Sequence, residues 1–213
     1  MAFKQLFAAL LLVAAALAAP AGPAAADTYR IVAFGDSLMA GYGLGPGESF
    51  PERLESALKS RGHDVVIANA GVSGDTSSGG LSRLDWSVPE ETDLVILGLG
   101  ANDMLRGVSP EITARNLEEM IVRLRERPVD ILLVGMLAAP NLGPDFANAF
   151  NSIYPRLAEQ YDLGLYPFLL EGVAAQPALL LDDGMHPNAE GIDRMVEGVL
   201  PIVERNYLER QDG

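Results

Sequence analysis

Five short apolar runs are spread along the chain, at Tyr29–Phe34, Val65–Ala70, Leu94–Leu99, Ile131–Gly135 and Leu163–Tyr166. They are continuous rather than alternating, which suits strands covered on both faces. Helical periodicity fills the intervals over Phe50–Arg61, Pro110–Arg127, Asp145–Tyr161 and Asn188–Arg205, with a shorter helix expected inside Asp75–Trp86 and a kink at Pro201. Strands that alternate with helices pair in parallel, because a crossover must return the chain to the end where the previous strand began. The pattern predicts a three-layer α/β/α sandwich built on about five strands.

The polar residues worth noticing sit where these runs stop. Ser37 follows the first strand, in Phe34-Gly35-Asp36-Ser37-Leu38, and Gly71 follows the second. Gly100-Ala101-Asn102-Asp103 follows the third, and Asp183-Gly184-Met185-His186 comes after the fifth. All four therefore belong to the carboxyl edge of a parallel sheet, where open α/β folds bind their ligands. The other histidine, His63, precedes a strand and belongs to the opposite edge.

Composition narrows the chemistry. Met1-Ala2-Phe3-Lys4, an apolar stretch from Leu6 to Ala19 and the small residues Ala24-Ala25-Ala26 describe a secretory signal peptide spanning residues 1–26 and cut before Asp27. The apolar stretch is short for a membrane span of about 20 residues. Its removal leaves residues 27–213 as a single domain, with no stable span and a periplasmic or secreted location. Lys and Arg number 15 against 29 Asp and Glu, a net charge of −14. So acidic a chain is a poor partner for nucleic acid, which demands clustered cations. The chain has no cysteine and two histidines, which excludes thiolate chemistry and disfavours zinc. No metal and no cofactor is expected, and a monomer is the expected state.

What remains is serine chemistry. Hydrolysis of a carbonyl needs a nucleophile, a neutral imidazole to take its proton, a carboxylate to orient that imidazole, and donors for the oxyanion. Ser37 can supply the first, and His186 with Asp183 the second and third. The donors could be the backbone N–H groups of Ser37 and Gly71 and the side-chain amide of Asn102. Ser73 is a rival nucleophile. The Gly-x-Ser-x-Gly elbow is absent, since Gly71-Val72-Ser73-Gly74 continues with Asp75. Alternating Gly41, Gly43, Gly45 and Gly47 do not make a dinucleotide fingerprint.

Gly35-Asp36-Ser37-Leu38, Gly71, Gly100-x-Asn102-Asp103 and Asp183-x-x-His186 match, in order, the four blocks of the SGNH (GDSL-type) hydrolases. Ser73-Gly74-Asp75-Thr76-Ser77, Leu105-Arg106-Gly107, Tyr154-Pro155-x-Leu157-Ala158 and Asp182-Asp183-Gly184-Met185-His186-Pro187-Asn188 extend the match. The chain resembles the secreted thioesterase I, arylesterase and lysophospholipase branch of that family. The resemblance implies a flavodoxin-like five-stranded parallel sheet, a Ser37–His186–Asp183 triad, and an oxyanion hole of Ser37, Gly71 and Asn102. It also implies small acyl ester, thioester or lysophospholipid substrates. Met104 departs from the glycine frequent in relatives and is expected to narrow the space beside Asn102.

An apolar substrate face is expected from Leu38, Tyr42, Leu44, Met136–Pro140, the Asp75–Leu81 loop and Leu142–Phe150. Gly74, Gly79 and Gly80 would let that loop close over an acyl chain. The alternatives are a non-catalytic periplasmic lipid-binding protein and a carbohydrate acetylesterase of the same fold.

Overall fold

The computed structural model describes residues 28–209, so the expected leader lies outside the described residues. The strands are β1 Tyr29–Gly35, β2 Val65–Gly71, β3 Leu94–Gly98, β4 Asp130–Val134 and β5 Gly164–Tyr166. They form one sheet in the order β2-β1-β3-β4-β5, with all neighbours parallel. This is the flavodoxin-like order, and its direction reverses between β1 and β3. Every residue of the central β3 is buried, whereas β2, at the edge, exposes several of its side chains.

The helices are α1 Ser37–Ala40, α2 Phe50–Ser60, α3 Ser77–Ser87, α4 Ala101–Leu105, α5 Pro110–Arg125, α6 Pro144–Asn151, α7 Ile153–Tyr161 and α8 Ala189–Val203. Right-handed crossovers decide their layers. The step from β1 to β2 runs one way along the sheet, and those from β2 over β1 to β3 and on to β5 run the other. Hence α2 packs with α8, while α3 packs with α5 and α5 with α7.

Local chemistry explains where the helices start. Before α2, Ser49 and Glu52 form a capping box, with Glu52 Oε2 3.1 Å from the Ser49 N–H. Asn188 caps α8 by accepting from Gly191 N at 3.0 Å.

The structure differs from the periodicity in three places. The Asp145–Tyr161 helix breaks at Ser152, because Pro155 has no N–H to give the Asn151 carbonyl. The last helix ends at Val203, two residues past Pro201, and continues as a π turn over Glu204–Leu208. The short α4, straight after β3, has too few residues for periodicity to reveal it.

Gly79 and Gly80 also prove to be different in kind from what the sequence suggests. They lie inside α3, where a Cβ on Gly79 would overlap the Asp75 carboxylate and one on Gly80 would overlap Leu99 and crowd Phe34. They permit close packing rather than loop movement, and the Asp75–Leu81 segment is not a lid. Gly80→Ala is therefore expected to destabilise the fold by about 1–3 kcal/mol through overpacking. Thermal denaturation should show the loss, while short and long acyl esters should be affected equally.

Candidate active site

The position of Ser37 is set by the turn out of β1. Asp36 caps α1, its Oδ1 accepting from Leu38 N at 3.1 Å. Ser37 is the first residue of that helix, so its own N–H has no intrahelical acceptor. Gly41, at φ 78°, ends α1 after four residues.

The loop carrying the histidine is folded around its aspartate. Asp183 Oδ1 accepts from the backbone N–H of Met185 at 2.9 Å and of His186 at 3.0 Å. The turn is closed by Leu181 N donating to the His186 carbonyl at 2.8 Å. Asp183 Oδ2 then lies 2.6 Å from His186 Nδ1, and His186 Nε2 lies 2.9 Å from Ser37 Oγ. With Asp183 ionised, the Nδ1 proton is held by the carboxylate, which leaves Nε2 as acceptor for the serine hydroxyl. The Tyr42 ring packs against the imidazole, with centroids 4.5 Å apart.

Neighbouring carboxylates are shifted in opposite directions. The backbone N–H groups of His186 and Met185, followed by the His186 ring, hold Asp183 down at about 2. Burial pushes Asp36 up to about 6, against the opposing effect of its bond from Leu38 N. Asp36 is only 2% exposed.

Of the sequence-predicted donors besides Ser37, Asn102 lines the groove at the serine and Gly71 does not. Asn102, on α4, lines the same groove as Ser37 and His186. Its Nδ2 donates to the Asp75 carbonyl at 2.9 Å and lies 3.4 Å from Asp36 Oδ2. Gly71 ends β2 directly opposite Gly35, so close to α1 that a Cβ would run into the Ala40 backbone. Its N–H donates to Asn69 Oδ1 at 2.9 Å, so an oxyanion at this position would compete with that side chain. The rival residues are engaged elsewhere or left aside. His63 Nε2 is 3.1 Å from Glu204 Oε1 at the amino end of β2, and neither histidine pairs with Ser73.

An apolar groove of about 500 Å³ opens on Ser37 and His186. The expected Leu38 and Met136–Pro140 line it, but Tyr42, Leu44, the Asp75–Leu81 segment and Leu142–Phe150 do not. Each of the two segments instead sends a side chain into the interior, Ser77 from the first and Phe150 from the second, both fully buried. Sequence reasoning missed the far wall, made by Phe168, Leu170, Ala174 and Leu180 between β5 and α8. The apolar run around Leu169-Leu170 was its only signal. Met104 does line the groove, and its sulfur accepts from Ala139 N at 3.2 Å, tying α4 to the opposite wall. A second cavity of about 420 Å³ lies at the other sheet edge among Arg125, Asp130, Asp162 and Asn206. No serine, threonine or histidine lines it.

The roles of two further polar residues were not legible in the sequence. Asp103, 1% exposed, accepts from Ser77 N at 2.7 Å, from Ser77 Oγ at 2.5 Å and from Thr113 Oγ1 at 3.3 Å. It fastens α3 to α4 and α5 and is not a reacting group. Arg83 is the second, a buried cation in the interior of α3.

A serine at the carboxyl edge of a parallel α/β sheet, hydrogen-bonded to a histidine that is itself held by an aspartate, defines a flavodoxin-like serine hydrolase. Residues 33–194 match the GDSL-like Lipase/Acylhydrolase family, and the chain belongs to that family. It is 40% identical over 162 residues to an arylesterase of Vibrio mimicus, covering 76% of this chain and 81% of that protein. It is 35% identical over 188 residues to the thioesterase 1/protease 1/lysophospholipase L1 of Escherichia coli, covering 86% and 88% respectively. Among solved structures, the SGNH-hydrolase family esterase AlinE4 superposes with a TM-score of 0.72 at 46% identity, over 85% of this chain and 98% of that one. Among the described residues, no helix is long and apolar enough to cross a membrane.

The Asp36 shift makes a stability prediction. A carboxyl raised in the fold from its ordinary 3.8 to about 6 binds more protons folded than unfolded between those values. It therefore contributes stability that is full below the unfolded value and lost as pH rises through the folded one. Asp36→Asn keeps the cap acceptor without the charge. The variant should match the wild type near pH 3.5 and exceed it by on the order of 3 kcal/mol at pH 8. Urea denaturation across that range measures the difference directly.

Proposed function

We propose that this protein is an exported monomeric serine esterase that hydrolyses esters and thioesters of apolar acyl groups through an acyl-enzyme on Ser37. The observation that carries the proposal is the 2.9 Å contact from His186 Nε2 to Ser37 Oγ at the mouth of an apolar groove. Ser37 Oγ attacks the acyl carbonyl while its proton passes to His186 Nε2. The negative charge that develops on the carbonyl oxygen is taken by the Ser37 and Gly71 N–H groups and the Asn102 amide. Collapse of the tetrahedral intermediate expels the alkoxide or thiolate, which receives the proton from His186. Water, deprotonated by the same nitrogen, then attacks the acyl-enzyme and frees Ser37. Asp183 stays ionised throughout, holding the tautomer and stabilising the imidazolium.

The groove favours a fatty acyl group over a sugar, because its walls offer methyl and methylene groups and few hydrogen-bonding partners. Cleavage of the leader before Asp27 would deliver the enzyme to the periplasm or beyond. Lysophospholipids and diffusible esters are within reach there, and cytosolic acyl-CoA is not.

Ser37→Ala should reduce kcat roughly ten-thousand-fold or more, and a fluorophosphonate should label Ser37 alone. His186→Ala should be comparably inactive, whereas His63→Ala should keep most activity. Labelling of Ser73, or a folded His63→Ala enzyme as inactive as His186→Ala, would overturn the assignment.

Acyl length should be read by the wall between β5 and α8. Each added methylene should contribute up to about 0.8 kcal/mol to transition-state binding until the groove is full. Plotted on a logarithmic scale, kcat/KM for p-nitrophenyl esters should climb with chain length and then level off. Ala174→Trp should bring the plateau to shorter chains and spare acetyl esters. An equal loss for acetyl and octanoyl esters would place the acyl chain elsewhere.

A further inference from the structure

Arg83 projects from the interior of α3 and is 6% exposed. Burying a guanidinium is costly unless its donors are met, and here they are met in an unusual way. Nε donates to Asp75 Oδ2 at 2.7 Å, Nη1 to the Ala70 carbonyl at 2.9 Å, and Nη2 to the Gly35 carbonyl at 2.8 Å. A longer bond of 3.3 Å joins Nη1 to Ser87 Oγ within the helix. The guanidinium also stacks on Phe34, its carbon 4.1 Å from the ring centroid.

Only one of these partners is a carboxylate, and two are backbone carbonyls at the functional ends of strands. Gly35 is two residues before Ser37 and also accepts from Val72 N at 3.0 Å, which joins the β1 exit to the β2 exit. Ala70 immediately precedes Gly71. Asp75 carries the carbonyl that receives the Asn102 amide at 2.9 Å. One rigid fork thus holds the chain beside each of the three oxyanion donors. Lysine could not do this, since its ammonium lacks the planar spread of donors.

We infer that Arg83 is a positioning residue for the reaction, setting the oxyanion donors of Ser37, Gly71 and Asn102 relative to one another through the Gly35, Ala70 and Asp75 segments. The inference rests on the oxyanion hole proposed above. It places no part of Arg83 in contact with substrate. Its effect belongs to the transition state, where donor geometry is decisive, and not to ground-state binding in the groove.

The test is a double-mutant cycle in kcat and KM for a p-nitrophenyl ester, using Arg83→Lys, Asn102→Ala and the pair. Arg83→Lys should lower kcat about ten- to thirty-fold with KM within twofold. Asn102→Ala should lower kcat about a hundred-fold. In the Asn102→Ala background, Arg83→Lys should cost severalfold less than its ten- to thirty-fold in the wild type, because one of the three donors it positions has already gone. Leu84→Ala, a core truncation on the same helix, serves as control: it should lower Tm at least as much and leave kcat within twofold. Should Arg83→Lys fail to fold, Asp75→Asn takes its place in the same cycle with the same expectations. Losses that multiply in the double variant, or a folded Arg83→Lys enzyme with kcat within twofold of wild type, would reduce Arg83 to a structural tie. A normal kcat for Asn102→Ala alone would instead remove the oxyanion hole on which the inference stands.

Discussion

The register that sets Gly35 opposite Gly71 on one side and Gly98 on the other is the constraint from which the site follows. Three parallel strands end level, and their continuations reach the same small region of the sheet edge. Glycine at these ends is required by space. A Cβ on Gly35 would meet Met39 and the Gly98 carbonyl, and one on Gly98 would meet Val134 and Met39. Met39 lies on α1, so the missing side chains let that helix settle against the strand ends. Its first residue is thereby held within reach of a histidine 149 positions away. Slipping one strand by a residue would invert its buried and exposed faces as well as moving its exit, and the wholly buried β3 could not absorb that change.

Around that edge the protein separates two carboxylates by environment. Asp183 lies in a turn whose own peptide N–H groups stabilise its charge. Asp36 is enclosed, with a single backbone donor at a comparable distance, and is driven toward neutrality. Asp75 would add a further negative charge nearby, and Arg83 compensates it at 2.7 Å. The imidazole thus has an ionised carboxylate in direct contact at Asp183, while burial opposes ionisation of Asp36.

Much of this was legible in the sequence because it depends on local pattern. Continuous apolar runs and their alternation with helices give the sheet, and the strand exits give Ser37, Gly71, Asn102, Asp183 and His186 a common edge. What stayed hidden depends on tertiary contact. Gly79 and Gly80 look the same in sequence whether they allow movement or close packing, and only the positions of Asp75 and Leu99 decide. Arg83 reads as an ordinary polar residue on a weakly amphipathic helix, since nothing local shows that its acceptors are Gly35 and Ala70. The Phe168–Leu180 wall lies in an irregular segment, where periodicity has no purchase. The break at Ser152 was the exception. Pro155 was in view, and its missing donor could have been counted.

Asp183 and His186 occupy a single turn, three residues apart and closed by its own backbone hydrogen bonds. Their mutual geometry is therefore a property of a short peptide segment and owes little to the sheet. What the rest of the molecule must supply is essentially one distance, from that segment to the serine. A machine with one adjustable joint tolerates rebuilding elsewhere. Walls can be exchanged and loops lengthened, provided that the segment docks in the same place. The modular layout gives a physical basis for varying the acyl groove while the reacting atoms stay fixed.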